Sequence, residues 1–272
     1  MTMRGIMKYY FLNNLKLIIR VPVALFFQFF FPLMMMLIVV GGSANPSYDG
    51  IRFINYYLPC AISMGFIPLA LVTFPLWVGK KIENGSLLRM NYFGLRTHSI
   101  MFMDIICHVI FGVIGAAIDI IFALIVFRLQ FFGAGYFFAF ILQIFIALIT
   151  LLVWGGVLSL IVKNTQALMS IGLVIMFFLY FISNCFGNVN NFPVFIRDLA
   201  KGFPVSYMGE DFSNIWIGKQ YWCGKFLWIS AIWFGVGIIA LVSLALSNKR
   251  LRGNAFLKSA STPRRKGKVV EV

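Results

Sequence analysis

Residues 104–127 read DIICHVIFGVIGAAIDIIFALIVF. Past the edge residue Asp104, the run holds a single acid, Asp119. At about 1.5 Å of rise per residue it is long enough to cross the roughly 30 Å hydrocarbon core of a bilayer. A soluble helix of this length would carry a polar face, and this one carries none. The stretch reads as a transmembrane helix.

Working outward, five more apolar runs of similar length lie near 22–41, 56–78, 137–161, 166–184 and 226–247, each bounded by polar residues. Composition agrees, with 61% of the 272 residues hydrophobic and 11% charged. Soluble domains average roughly 25% charged. The expected fold is all-α and integral to a membrane, with about six transmembrane helices.

The net charge of +15 does not point to nucleic acid, because the basic residues flank the apolar spans instead of lying among aromatics on a soluble face. They report topology. With the N-terminus inside, 17 of the 23 Lys and Arg fall in cytoplasmic segments and six outside. The positive-inside rule then puts both termini in the cytoplasm. The N-terminal apolar run lacks a small-residue cleavage site and is expected to be retained.

Four segments flank the spans. Residues 1–21 partly segregate apolar and basic positions, as an interfacial helix would, and the rival reading is a basic topology flank. Residues 22–247 form the transmembrane core. Within it, about 80–95 is a polar insertion that suits a short helix lying along the membrane, with Ser86 as a cap and Gly94 as a stop. From about 186–225 the chain alternates short apolar stretches with Asn188, Asn190, Pro193, Gly202 and Pro204, a pattern that fits re-entrant or interfacial helices. Residues 248–272 are a basic tail.

Intramembrane acids are costly and so invite a functional reading. For Asp119 a substrate or proton role stands beside a structural hydrogen bond to a neighbouring helix. Asp104 lies four residues before His108, on one helix face, where its carboxylate either holds the imidazole or anchors the helix at the interface. The four cysteines have no metal-ligand spacing. They read as small buried hydrophobes, and a Cys185–Cys223 bridge is the other reading.

Two histidines and the absence of HExxH, GxSxG or a GxxxxGK[ST] loop argue against catalysis and against nucleotide binding by this chain. No metal site is expected. A secondary transporter would need midplane ion sites and repeated broken helices, of which one broken region is visible. A membrane scaffold or immunity protein is the other rival.

KKIENGSLLRMNYFGLRTHS, residues 80–99, resembles a motif of the type 2 ATP-binding-cassette exporter permeases: an acid, a Gly, a small hydroxyl residue, a Leu and an Arg, here Glu83, Gly85, Ser86, Leu87 and Arg89. The stretch from Leu158 through VKNTQAL to FFLYFISNCFGNVNNFPVFIRDLAKGFPVSYMGE resembles the same family's fifth span and broken external segment, with Pro204 and Tyr207 as the proline followed by an aromatic. The chain departs from the family at Ser183, Asn184, Cys185, Phe186 and Gly187. The resemblance implies an exporter permease that dimerises with a second copy or a paralogue and binds two copies of a cytoplasmic ATPase subunit. Residues 83–92 would be the coupling helix. ATP and Mg2+ would sit on the partner, with no cofactor bound by this chain. The implied location is a bacterial-type cell membrane. The implied cargo is amphipathic: a peptide, a drug or a lipid-linked molecule. Asn188, Asn190, Pro193, Pro204 and Tyr207 would form the external gate region, and Asp119, Asp104 and His108 are the candidate pathway polar groups.

Overall fold

The computed structural model describes residues 3–92, 97–162, 164–183, 185 and 192–247, with the side chains of 3–9, 91 and 98 left out. Among the described residues six helices are long and apolar enough to cross a membrane: α2 (Pro22–Gly41), α3 (Phe53–Glu83), α5 (Thr97–Phe127), α6 (Ala134–Ile161), α7 (Thr165–Ile182) and α10 (Gly224–Ser247). They coincide with the six expected runs. Helix α1 (Met3–Ile18) precedes them, and a turn at 19–21 leads to Pro22, which occupies a first-turn position where its missing N–H costs nothing.

Helix α3 is the centre of the bundle. Its apolar window is 94% buried, against 11% for α10. With 31 residues it rises about 46 Å, longer than the hydrocarbon core. It therefore projects at one end, here called proximal, and carries the short helix α4 (Ser86–Tyr92). The proximal end also holds α1, and the opposite end is called distal.

Prolines shape both α2 and α3. Pro32 cannot close an α-turn onto the Gln28 carbonyl, and the backbone before it widens to a π-turn, Phe26–Phe30, in which the Phe31 N–H reaches the Phe26 carbonyl. Pro75 withholds the same donor from Leu71, within the π-turn Leu69–Thr73. Neighbouring helices come very close there. A methyl on Gly172 of α7 would lie 2.6 Å from the Leu71 oxygen, and one on Gly155 of α6 would overlap the Ala70 oxygen. Glycine lets α6 and α7 press directly on the α3 backbone.

The distal end contains a feature that the sequence reading lacks, a two-stranded antiparallel hairpin of β1 (Ser47–Tyr48) and β2 (Ile51–Arg52). Asp49 and Gly50 turn it with φ of 50° and 78°, the left-handed pair that a tight hairpin requires. Gln130 and Asn55 then join the α5–α6 loop to α3 by reciprocal bonds of 3.0 Å, and the Trp216 indole donates to Asn55 at 3.3 Å.

The segment before α10 comprises α8 (Val194–Lys201), a 3-10 turn (Pro204–Met208) and α9 (Glu210–Trp216). Val205, Met208, Phe212, Ile215 and Trp216 are buried. The Trp233 indole donates to the Gly202 carbonyl at 2.8 Å. Trp233 lies nine residues into α10, about 14 Å from its start. The segment therefore packs along the side of α10, well past its first turns.

Candidate functional site

The proximal root of α4 is a buried polar web. Tyr10 and Asn14 are four apart and share one face of α1. Each donates to Asp104 Oδ1 of α5, at 2.9 and 2.7 Å. Lys81, on the last turn of α3, places Nζ 2.7 Å from Oδ1 and 2.9 Å from Oδ2 of the same carboxylate, and donates to the Tyr10 hydroxyl at 2.7 Å. The ammonium also lies 4.7 Å from the Trp77 ring centre and 5.0 Å from that of Tyr10. Burial pushes the Tyr10 phenol up, so it stays a donor to the carboxylate.

Three chain segments thus meet on one carboxylate. Asp104 does not hold the imidazole of His108 with its side chain. Its backbone carbonyl lies 2.8 Å from Nδ1, which must carry the hydrogen because a carbonyl only accepts. The His108 ring is packed against Phe74 at 4.9 Å, and its Nε2 has no partner. Lys81 counted only as a topology charge in the sequence, yet its side chain is 11% exposed. Tyr10, Asn14 and Trp77 were likewise missed. The four-residue spacing of Tyr10 and Asn14 was the available signal, but nothing local says which helix that face meets.

Helix α4 leaves this web through a glycine turn. Gly85 has φ 66°, and its N–H bonds the Ile82 carbonyl at 3.2 Å, a left-handed helix end. Ser86 does not cap α4. Its hydroxyl donates back to the Lys81 carbonyl at 3.2 Å, tying α4 to the end of α3. Leu87 is buried in a small cluster with Ile100 and Leu160, whereas Glu83 and Arg89 are exposed. Of the five motif residues, three hold the helix in place and two face outward. Gly94 lies outside the described residues.

The other candidates are dispersed. Asp119 is buried at mid-span of α5, and neither carboxylate oxygen has a hydrogen-bond partner, so the interhelical bond considered for it is absent. Pro193 is exposed just before α8, Pro204 is buried, and the Tyr207 hydroxyl donates to the Lys201 carbonyl at 2.9 Å. Asn188 and Asn190 lie outside the described residues. Pro204 helps wall an apolar cavity of about 250 Å3 bounded by Leu71, Trp154, Leu179, Phe203 and Trp233. All four cysteines are buried thiols. Cys185 is not bridged to Cys223; its thiol lies against the Cys60 carbonyl at 3.6 Å. Among the described residues no three His, Cys, Asp or Glu side chains come together as metal ligands.

The model of the ABC-2 type transporter family matches residues 7–217. The chain belongs to that family. No curated protein matches it. The match runs from α1 through the web, α4 and the distal segment to α9. Such a component carries out transport and not catalysis.

Proposed function

We propose that this ABC-2 chain is the permease subunit of an exporter driven by a separate ATPase, with α4 as the docking element for that ATPase. The observation that supports the reading is the construction of α4. Glu83, at the end of α3, and Arg89, on α4, face outward beside a root clamped by Lys81, Asp104, Tyr10 and Asn14, and the inner side of α4 is pinned by Leu87. A push on α4 is passed at once to α1, α3 and α5. That is what a coupling element must do when the free energy comes from nucleotide bound elsewhere.

In this reading the proximal end and both termini face the cytoplasm, and the permease works with a second copy or paralogue and two ATPase subunits, which bind ATP and Mg2+. The apolar cavity beneath the distal segment favours a cargo with a substantial apolar part. Its polar neighbours are already satisfied: the Thr150 hydroxyl donates to the Ile146 carbonyl at 2.8 Å, and the Trp154 indole donates to the Trp233 carbonyl at 3.0 Å. An amphipathic peptide, drug or lipid-linked molecule meets that requirement.

The test is purification of the chain from its own membrane in mild detergent, scored for a soluble-type ATPase and for nucleotide hydrolysis. Recovery of both is expected. Their clean absence under conditions that keep other membrane complexes intact would overturn the reading.

A further inference from the structure

The seam between α2 and α5 contains two polar side chains with nothing to bond. Gln28 and Asp119 are each 1% exposed, and none of their four side-chain polar atoms has a hydrogen-bond partner. Orphaned polar groups in a membrane interior are expensive and call for an explanation. Gln28 is held by shape alone. A methyl on Gly115 of α5 would overlap its amide, and one on Gly65 of α3 would sit 3.3 Å from its Nε2. The amide lies in a slot between two glycines.

Asp119 follows Gly115 by four residues, one helical turn farther along the same face of α5. Phe29 packs on Phe111 with ring centres 5.1 Å apart, and a methyl on Gly41 would lie 3.9 Å from Phe127. Counting from these contacts and from Gln28 at Gly115, Asp119 is level with residues 32–37 of α2, a stretch with no polar side chain to offer. Helix α2 is also poorly fixed as a helix: its π-turns Phe26–Phe30 and Leu37–Gly41 bracket Pro32. Such turns are uncommon and recur at functional sites.

We propose that Gln28 and Asp119 are the two halves of a latch. In the conformation seen here the amide rests at Gly115. In the alternate conformation of the permease α2 carries it one turn along α5, where it bonds the Asp119 carboxyl group. No hydrogen bond has to break for Gln28 to leave its slot, and two orphaned groups become satisfied when it arrives. The pair therefore narrows the gap between two states of the bundle. This inference concerns movement within the chain and does not depend on what docks at α4.

The test is disulfide trapping in membrane vesicles, with the four native cysteines replaced by alanine and a protease site inserted at the exposed turn at residues 49–50. Gln28→Cys with Gly115→Cys reports the seat seen here, and Gln28→Cys with Asp119→Cys reports the shifted one. After copper-phenanthroline oxidation and cleavage, the two fragments are expected to stay joined in both double variants. Addition of ATP and Mg2+ is expected to raise the second bond severalfold. A second bond that forms without responding to nucleotide still supports the latch and counts against the exporter cycle as its driver. Trapping at Gly115 with none at Asp119 under any condition would overturn the proposal. A second measurement covers packing damage: Gln28→Leu and Asp119→Leu should melt no lower than the parent chain, since neither group is bonded in this state. A fall in melting temperature for both would mean that the groups are fixed by a static bridge, and would also overturn it.

Discussion

Lys81 and Asp104 form a two-point ion pair at the root of α4, with side chains 11% and 1% exposed. Neither charge is tolerable there alone, because removing one partner from a buried pair leaves the other uncompensated. Asp104→Ala and Lys81→Ala should each lower stability by about 3–5 kcal/mol. The double change Lys81→Met with Asp104→Leu should cost less than either single one. Thermal unfolding of the three variants in detergent measures the difference.

Residues on the two sides of the α3–α4 junction should separate stability from docking. Glu83→Ala and Arg89→Ala are exposed changes and should stay within about 0.5 kcal/mol of the parent chain, while a co-purifying ATPase is reduced. Leu87→Ala removes a side chain only 2% exposed and should cost about 2–5 kcal/mol. Co-purification and melting on the same samples check both halves. Normal ATPase recovery with both exposed variants would remove α4 from the docking role.

Glycines that touch the α3 backbone should not accept a methyl group. Gly155→Ala and Gly172→Ala drive a Cβ into the Ala70 and Leu71 carbonyls, and overpacking of this kind costs about 1–3 kcal/mol or more. Gly42→Ala and Gly224→Ala meet nothing within 4 Å and should be near neutral. The yield of monodisperse protein after size-exclusion chromatography distinguishes the two pairs.

Trp233→Phe keeps the ring against Phe203 but deletes the indole bond to the Gly202 carbonyl. The expected cost is about 1 kcal/mol, felt mainly in the distal segment. Faster proteolysis between Pro193 and Gly209, with the spans unaffected, is the readout.

Burial, and after it the neighbouring Glu210, holds the Asp211 carboxyl above the usual carboxylate range. For an acid whose folded pKa is raised, the linked stability is complete below the unfolded value of about 3.9 and is lost as pH rises through the folded value. The distal segment should therefore melt higher at mildly acidic pH than at neutral pH, and Asp211→Asn should flatten the dependence. Fluorescence of Trp216, on the same helix, follows the transition.

The six spans were legible from residue order, because a bilayer demands long apolar runs and punishes every interruption. The hairpin at residues 47–52 was not, since four strand residues carry too little periodicity to register. The family motif around Gly85 was readable, but not the division of its labour. Ser86 looks like a cap and instead bonds the Lys81 carbonyl, a choice made by the fold of the turn.

Lys81 marks the boundary between the two levels. Its sequence position beside Lys80 is that of an ordinary flanking charge, and hydropathy accounts for nothing more. Its burial depends on α1 folding back across the start of α5, so that Tyr10, Asn14 and Asp104 arrive together from positions about 90 residues apart. The sequence by itself determined that six helices cross a membrane, since that follows from the solvation of each segment separately. Which polar side chains are paired and which, like Gln28 and Asp119, are left without a partner was decided only by the tertiary structure, because pairing depends on where separate helices meet.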